Sequence, residues 1–296
     1  MSKFKIGIVG RGYVGHATQL LKCEDIECVV YDKDIDKCDP AGTTIKDLKD
    51  SDFVFVCVPT PMKPNGSCDL SIVKSVLKDL TDAGITKDKI VVRSTVPVGT
   101  CEKLGVSFMP EFLTEKNWRN DFYNTPLWVF GYDQLSNVVQ DEKNNDLYLP
   151  DGIIKFRDLL DCAMKNERIA NSGVTFVSTR NAELVKYARN SFLAVKTSFF
   201  NEIQEFCVNN NLSFKQVRKL ICADPRIGDS HSLVPGPDGK RGFGGTCFPK
   251  DVASMLTQMK KSKVQTMVLK AAQKRNETVD RPEKDWKENK GRAVSE

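Results

Sequence analysis

The sequence lacks the features that would place the chain in a membrane or an oxidising compartment. No apolar run in its 296 residues approaches the roughly twenty residues of a membrane helix, and a strand-like pattern begins where a signal peptide would lie. The ten cysteines show no C-x-x-C spacing, which argues against a zinc site and a disulfide framework. We therefore expect a cytosolic protein without a metal, whose cysteines are mostly small buried hydrophobic residues.

Histidine and surplus charge are also scarce. Only His16 and His231 are present, which leaves little scope for a mechanism centred on histidine. The chain carries 44 basic and 39 acidic residues, a formal net charge of +5, with a basic cluster between Lys260 and Arg275. This pattern is a weak indicator of nucleic acid, so we expect no nucleic-acid partner, and the mild positive charge suits a substrate that carries phosphates.

Short apolar runs rich in Val, Ile and Phe predict the strands of an α/β fold. The runs are continuous rather than alternating, which is typical of strands covered on both faces. Helical patterns at His16–Leu21 and Leu70–Leu80 lie between them, and alternating strands and helices favour a doubly wound, mostly parallel sheet. The predicted strands are Ile6–Val9, Cys28–Tyr31, Phe53–Val58, Ile90–Val92, Leu127–Phe130 and Val174–Val177.

The second half of the sequence has a helical pattern. A long central helix is predicted from Glu183 to Asn209, and its four phenylalanines indicate that it is mostly buried. The polar stretch 133–152 predicts a surface loop. Residues 281–296 are charged and poor in apolar positions, which predicts a frayed tail.

A glycine-rich turn follows the first predicted strand. Gly10–Gly15 reads G-R-G-Y-V-G and opens a helix, and Asp32 ends the next strand twenty residues after Gly12. Gly10 makes the turn, Gly12 lets the backbone approach a pyrophosphate, and Gly15 lets the helix pack closely on the strand. A carboxylate at Asp32 would bind ribose hydroxyls and repel a 2′-phosphate, so NAD is favoured over NADP. The sequence thus predicts an NAD-binding Rossmann domain over residues 1–178, a helical central and dimerisation domain over 179–280, and a charged tail over 281–296.

Further loops follow predicted strands at the edge where doubly wound sheets bind ligands. These loops are Cys57–Pro61 and Ser94–Thr100, and Met109–Leu113 follows another short strand pattern and brings Glu111 to the same edge. The expected cofactor contacts of the glycine turn and the loops are Gly10, Gly12, Tyr13, Val14, Gly15, Asp32, Lys37, Val58, Pro59, Thr60, Ser94 and Thr95.

The most informative stretch outside the glycine turn is Arg241–Asp251, R-G-F-G-G-T-C-F-P-K-D. An apolar stripe over Val252–Met259 predicts a helix after it, with Pro249 in the first turn. Cys247 is therefore expected at a helix N-terminus, where the macrodipole and a nearby lysine favour a thiolate and the glycines leave space for a ligand. Asp251 follows one turn later, where it can hold a water or a proton.

Two polar residues share one face of the long helix. Lys186 and Asn190 are four residues apart, and Asn201 lies about three turns further on. On a buried helix these side chains need polar partners. We expect substrate hydroxyls to supply them.

Taken together, these residues resemble the UDP-glucose 6-dehydrogenase family, which includes the GDP-mannose and UDP-N-acetylmannosamine dehydrogenases. The resemblance runs from about Lys5 to about Asn276 and is most specific at Gly242–Asp251 and Ala182–Asn190. It implies a four-electron oxidation of a sugar C6 alcohol to a carboxylate with two NAD in succession. The implied substrate is a nucleotide sugar such as UDP-glucose, and the implied assembly is a homodimer built on the long helix.

The resemblance also implies a role for each matching residue. Cys247 would attack the intermediate aldehyde and form a thioester after a second hydride transfer. Lys186 would stabilise the developing oxyanion. Asn190 and Asp251 would position the reacting oxygen and a water.

Other implied roles concern water and substrate. Thr95 and Glu111 would assist the water in proton transfer and thioester hydrolysis, and Arg226 resembles an arginine that reaches the substrate of a neighbouring subunit. The expected substrate contacts are Glu111, Phe112, Leu113, Lys186, Asn190, Arg226, Phe243, Gly244 and Gly245.

The sequence also departs from the family pattern. Family members continue with a second Rossmann-like domain that binds the nucleotide, whereas this sequence ends at Glu296, so the UDP-binding half is expected to be missing. Two alternatives remain open. One is a two-electron dehydrogenase similar to 6-phosphogluconate or 3-hydroxyacid dehydrogenases, which leaves Cys247 without a role. The other is a non-catalytic NAD-binding subunit that lost the sugar-nucleotide domain.

Overall fold

A computed structural model of the chain describes residues 3–133, 139–140, 147–148 and 150–295. Its strands are β1 Phe4–Val9, β2 Ile26–Tyr31, β3 Phe53–Val56, β4 Ile90–Val92, β5 Ser107–Phe108, β6 Trp128–Gly131, β7 Val139–Gln140, β8 Leu147–Tyr148 and β9 Val174–Val177. The α-helices are α1 Tyr13–Gln19, α2 Ser71–Asp82, α3 Thr100–Leu104, α4 Trp118–Tyr123, α5 Asp151–Lys165, α6 Thr179–Asn209, α7 Phe214–Cys222, α8 Phe248–Lys261 and α9 Met267–Arg275.

Seven of the described strands form one sheet, in the order β2-β1-β3-β4-β5-β6-β9. Neighbouring strands are parallel except β5 with β6, so the sheet is mostly parallel as predicted. Every residue of β3 and β4 is buried, because helices cover both faces of the sheet. The strand order reverses between β1 and β3, and the loops after these two strands therefore meet at the carboxyl edge.

The chain divides into two compact units. The first unit comprises Met1–Pro59 and Leu70–Lys186, and the second comprises Thr60–Asp69 and Tyr187–Glu296. The first unit contains the sheet, with one hydrophobic cluster on each face, and the second is helical around a smaller cluster. The fold class predicted from the sequence is confirmed. In the described part of the chain, no helix combines the length and the apolar character needed to cross a membrane.

The long helix α6 begins at Thr179, four residues before its predicted start. The Oγ of Ser178 accepts the backbone N–H of Asn181, and both the N–H and the hydroxyl of Thr179 donate to the carboxylate of Asp133. These bonds satisfy N–H groups that a helix start leaves without partners. The middle of the predicted surface loop 133–152 lies outside the described residues.

Two predictions about burial are wrong. Of the four phenylalanines of α6, Phe192, Phe199 and Phe206 are 66%, 49% and 61% exposed, and Phe200 alone is buried. The segment 281–295 is packed rather than frayed, because Trp286 is 3% exposed and Met62 accepts the backbone N–H of Ser295 at 2.8 Å. A few buried residues, among them Trp286 and Ala293, therefore anchor a segment whose composition indicates a tail.

Candidate active site

The glycine turn after β1 has the geometry of a dinucleotide cradle. Gly10 has a φ of +92°, and a Cβ there would lie 2.7 Å from the carbonyl oxygen of Cys57. A Cβ on Gly15 would lie 1.9 Å from the carbonyl oxygen of Gly10, whereas a Cβ on Gly12 would meet no atom within 4 Å. Gly12 therefore leaves space for a pyrophosphate against the backbone, and the residues present fit the cofactor.

Asp32 lies directly after β2 and is held in place by the backbone. Its carboxylate accepts the N–H of Arg11 at 2.6 Å and the N–H of Asp34 at 2.9 Å. Each oxygen keeps a further lone pair for a ribose hydroxyl. The ammonium of Lys37 lies 2.9 Å from the carboxylate of Asp34, in solvent.

The remaining predicted cofactor residues line loops of the sheet edge. The hydroxyl of Ser94 donates to the carbonyl of Val58 at 2.6 Å and so joins the loops after β3 and β4. Thr95 is buried, Pro59 is exposed, and Val14 packs against the sheet. Tyr13 is 39% exposed on α1, and Thr60 is buried and belongs to the second unit.

Glu111 and Lys186 form a buried ion pair in the first unit. The Lys186 ammonium donates to Oε1 and to the backbone carbonyl of Glu111, both at 2.6 Å. The N–H of Leu113 donates to the second carboxylate oxygen at 2.8 Å, and the ring of Phe112 lies 5.7 Å from the ammonium. Burial alone would raise the pKa of Glu111, but the charge and hydrogen bond of Lys186 outweigh it and lower that pKa. Glu111 is therefore held as a carboxylate.

Cys247 is the residue that precedes helix α8, as the sequence predicts. Its carbonyl accepts the N–H of Asp251 at 3.0 Å, and its Sγ lies 3.8 Å from the hydroxyl of Thr246. The side chain is half-buried. Pro249 occupies the first turn, where its missing N–H costs no hydrogen bond.

Asp251 is buried between two donors of the second unit. The amide of Asn190 donates to Oδ2 at 2.6 Å, and the ammonium of Lys250 donates to Oδ1 at 2.6 Å. Burial disfavours the charge of Lys250, yet the charges of Asp251 and of Cys247 raise its pKa above the ordinary value. Lys250 thus remains a cation beside Asp251, and its charge favours a thiolate at Cys247.

Three predicted substrate contacts, Phe243, Gly244 and Gly245, lie in the glycine-rich loop before Cys247, and their surroundings differ from one another. A Cβ on Gly245 would meet nothing within 4 Å, whereas one on Gly244 would lie 2.3 Å from the guanidinium carbon of Arg281. Phe243 is buried in the core of the second unit beside Phe248, so its side chain has a packing role. Only Gly245 presents open backbone.

Asn201 has a partner other than the expected substrate hydroxyl, and Arg226 has a partner near it in the sequence. Asn201 accepts the backbone N–H of Gly242 at 3.2 Å and therefore needs no substrate hydroxyl. Arg226 is 88% exposed, and its guanidinium pairs with the carboxylate of Asp224. An exposed arginine held in this way is available to a second molecule.

Sequence reasoning missed Arg93. It is 2% exposed, donates to the hydroxyl of Thr18 at 2.7 Å, and its positive charge contributes to lowering the pKa of Glu111. Its guanidinium also lies 5.7 Å from the ring centroid of Phe122. An arginine directly after the buried strand β4 was the available signal, because a charge at such a position requires a partner.

Two models of one protein family match the chain. The NAD binding domain of the UDP-glucose/GDP-mannose dehydrogenase family matches residues 39–150, and the central domain of that family matches residues 180–278. The UDP-glucose 6-dehydrogenase of Rickettsia bellii is 33% identical over 245 residues, which cover 78% of this chain and 50% of the relative. The UDP-glucose 6-dehydrogenase of Pseudomonas aeruginosa is 30% identical over an alignment of 319 residues, which covers 92% of this chain and 65% of the relative.

A solved structure of a UDP-glucose dehydrogenase from the hyperthermophilic archaeon Pyrobaculum islandicum has the same fold. It superposes with a TM-score of 0.72 at 24% identity, and the match covers 93% of this chain and 68% of that chain. The chain spans 50% to 65% of the length of the two curated relatives described above. The resemblance inferred from the motifs is confirmed, and so is NAD as the cofactor. The chain belongs to the UDP-glucose/GDP-mannose dehydrogenase family and carries its NAD-binding and central domains.

Proposed function

We propose that the protein oxidises a nucleotide sugar at C6 with NAD, through a thioester on Cys247. The names of the curated relatives favour UDP-glucose as the substrate and UDP-glucuronate as the product. One observation carries the proposal: Cys247 precedes α8 beside a Lys250–Asp251 pair whose carboxylate is buried, and Asp251 is also bound by Asn190. A packing cysteine needs no such surroundings, and a two-electron dehydrogenase needs no nucleophile.

The chemistry takes place in four steps that balance. The C6 alcohol loses a proton and a hydride to become an aldehyde, and the Cys247 thiolate adds to the aldehyde carbon while the aldehyde oxygen takes up a proton. The resulting thiohemiacetal loses a proton and a second hydride to become a thioester. Water then cleaves the C–S bond and releases the carboxylate, a proton and the thiol, which loses its proton to restore the thiolate. NAD, when bound, accepts the hydrides, so two equivalents of NADH form for each sugar.

Charged and polar side chains stabilise or position the oxygen atoms of the substrate and of the hydrolytic water during these steps. The Lys186 ammonium stabilises the negative charge that develops on the reacting oxygen, because it is a fixed cation in a buried place. Glu111, held as a carboxylate by Lys186, accepts a proton through water, and Thr95 orients that water. Asn190 and Asp251 position the reacting oxygen and the hydrolytic water.

We also propose that the protein acts as a homodimer built on α6. Phe192, Phe199 and Phe206 recur every seven residues and are all at least 49% exposed, so they form one apolar row along the helix. A second copy of the same helix covers such a row with the same side chains, which suits a twofold interface. Arg226, exposed after α7, then reaches the substrate of the partner subunit.

The test is the number of NADH molecules formed for each UDP-glucose consumed. We expect two for the wild type and at most one for Cys247→Ser, which cannot form the thioester. Cys222→Ser is the matched control, because Cys222 is also half-buried but lies on α7, and it should keep two. One NADH from the wild type rejects the thioester route, and tight NAD binding without turnover of any UDP- or GDP-sugar favours a non-catalytic subunit.

A further inference from the structure

The backbone just before the nucleophile is held by two buried asparagine side chains. Asn276 accepts the N–H of Phe243 at 2.7 Å and donates its Nδ2 to the carbonyl of the same residue at 2.9 Å. Asn201 accepts the N–H of Gly242 at 3.2 Å. The two bonds of Asn276 have the same donor and acceptor pattern as a neighbouring strand, so they fix both the position and the orientation of residue 243.

The loop sequence is fitted to this contact. Gly242 has a φ of +65°, and a Cβ there would lie only 2.2 Å from Oδ1 of Asn276. The side chain of Phe243 is buried, and Asn276 is 0% exposed. A buried amide with both hydrogen-bonding groups satisfied resists displacement, because each lost bond would leave a polar group without water.

The other end of the contact is equally fixed. Asn276 is the first residue of a single π-helical turn, Asn276–Asp280, that follows α9. Asp280 ends the turn and binds the guanidinium groups of Arg275 at 3.0 Å and Arg241 at 3.3 Å. Arg241 directly precedes Gly242, so the turn holds the loop at two adjacent places. π-Helical turns are rare and frequent at functional sites.

We infer that Asn276 is a positioning residue for the Cys247 nucleophile. Residues 242 and 243 lie five and four positions before Cys247, and the loop between Phe243 and Cys247 contains two glycines, which do not define a conformation by themselves. A displacement of about 1 Å at a reacting atom costs up to about 100-fold in rate. This inference rests on the proposed function, in which the thiolate serves the second oxidation and not the first. Loss of the contact therefore affects the second step selectively.

The variant that tests the inference is Asn276→Asp. It keeps the size of the side chain and the acceptor for the Phe243 N–H, but it places a second oxygen against the Phe243 carbonyl. We expect the first hydride transfer to persist while the aldehyde escapes, so that NADH per UDP-glucose falls from two toward one and the aldehyde is trapped as an oxime by a hydroxylamine reagent. Asn210→Asp is the matched control, because the Asn210 amide donates to a backbone carbonyl on an exposed helix end. The control should keep two.

A folded Asn276→Asp variant that still forms two NADH without trapped aldehyde overturns the inference. One NADH from the wild type contradicts the proposed function instead, so the two failures are distinguishable. Alkylation of Cys247 by iodoacetamide needs no turnover, and its rate should fall at least about tenfold in the variant if placement near the Lys250 cation is lost. For a variant that does not fold, hydrogen exchange of the wild type decides. We expect the Phe243 amide to be protected like those of α8, and exchange at the rate of an open loop contradicts the contact.

Discussion

The side-chain amide of Asn190 donates to Oδ2 of Asp251 at 2.6 Å, and Lys250 donates to the other oxygen at the same distance. Asn190 lies on α6 and Asp251 on α8, so the carboxylate joins the two helices of the second unit next to Cys247. A buried carboxylate with one donor on each oxygen is a structural link, and it keeps further lone pairs with which to accept from a water. Replacing Asp251 should therefore change both the stability of the fold and the hydrolysis of the thioester, and the two effects can be measured separately.

We expect Asp251→Asn to leave Lys250 as a buried cation without its counter-charge. The free energy of unfolding should fall by about 3 kcal/mol, because breaking a buried ion pair by removing one partner is strongly destabilising. Urea unfolding at pH 7.5 measures this change. Asp229→Asn is the control, since the Asp229 side chain is 70% exposed beside Arg218 and the loss of this pair should have a much smaller effect. Equal losses for the two variants contradict the assignment of Asp251.

Replacement by alanine should impair a different property at each of two glycines of the cofactor turn. Gly12→Ala adds a Cβ in open space, so we expect an unchanged melting temperature and NAD binding weakened about 100-fold, because the methyl group enters the pyrophosphate position. Gly15→Ala places a Cβ against the Gly10 carbonyl and should lower the melting temperature. Calorimetric titration with NAD and thermal unfolding measure the two effects. Unimpaired NAD binding by Gly12→Ala contradicts the proposed cradle.

The Glu111–Lys186 pair should make stability depend on pH. Folding lowers the pKa of Glu111, so the carboxylate stabilises the fold above its ordinary pKa of 4.5, and this contribution is lost as the pH falls through the lowered value. In Lys186→Met, burial dominates and raises that pKa instead. The variant should therefore be about 3–5 kcal/mol less stable than the wild type at pH 7.5, and the gap should narrow toward pH 4.

Urea unfolding at both pH values tests this prediction, with Glu111→Gln/Lys186→Met as the control. The double variant removes both charges and should recover most of the stability at pH 7.5. A gap that stays constant between pH 7.5 and pH 4 shows that Glu111 is not the group responsible.

The row of exposed phenylalanines predicts a dimer that one charge can dissociate. Phe199→Asp places a carboxylate near the middle of the row and should weaken association at least about 100-fold, because the charge is buried without a partner. Sedimentation velocity across a concentration series measures the change. Leu220→Asp on α7 is the control, since Leu220 is 76% exposed and lies outside the row. A wild type that remains a monomer at all concentrations contradicts the proposal.

The sequence predicted the elements whose signals are local. Ile90–Val92 is an uninterrupted apolar run, and the strand has those bounds; Cys247 precedes α8 because Pro249 and the apolar stripe mark the helix start. The start of α6 was missed because it depends on Asp133, which is distant in the sequence. Such tertiary contacts leave no periodic pattern to detect.

The hydrogen-bond partners of the site residues could not be predicted from local sequence patterns either. Lys186 and Asn190 were recognised as residues that need polar partners, but the partner of Lys186 lies 75 residues away and that of Asn190 lies 61 residues away. Burial of α6 was overestimated, because a row of phenylalanines indicates a buried face in a monomer and an interface in a dimer equally well. Trp286 was the overlooked sign of packing in the C-terminal segment.

The most direct test of the thioester on Cys247 is the intact mass of the protein after acid quenching during turnover with UDP-glucose and NAD. The proposal predicts a fraction of protein whose mass is increased by a UDP-glucuronyl group, with the addition mapped by peptide analysis to Cys247, and none in Cys247→Ser. Asp251→Asn should increase that fraction, because hydrolysis of the thioester slows. Turnover that produces two NADH without any adduct on Cys247, in both the wild type and Asp251→Asn, would contradict the thioester mechanism.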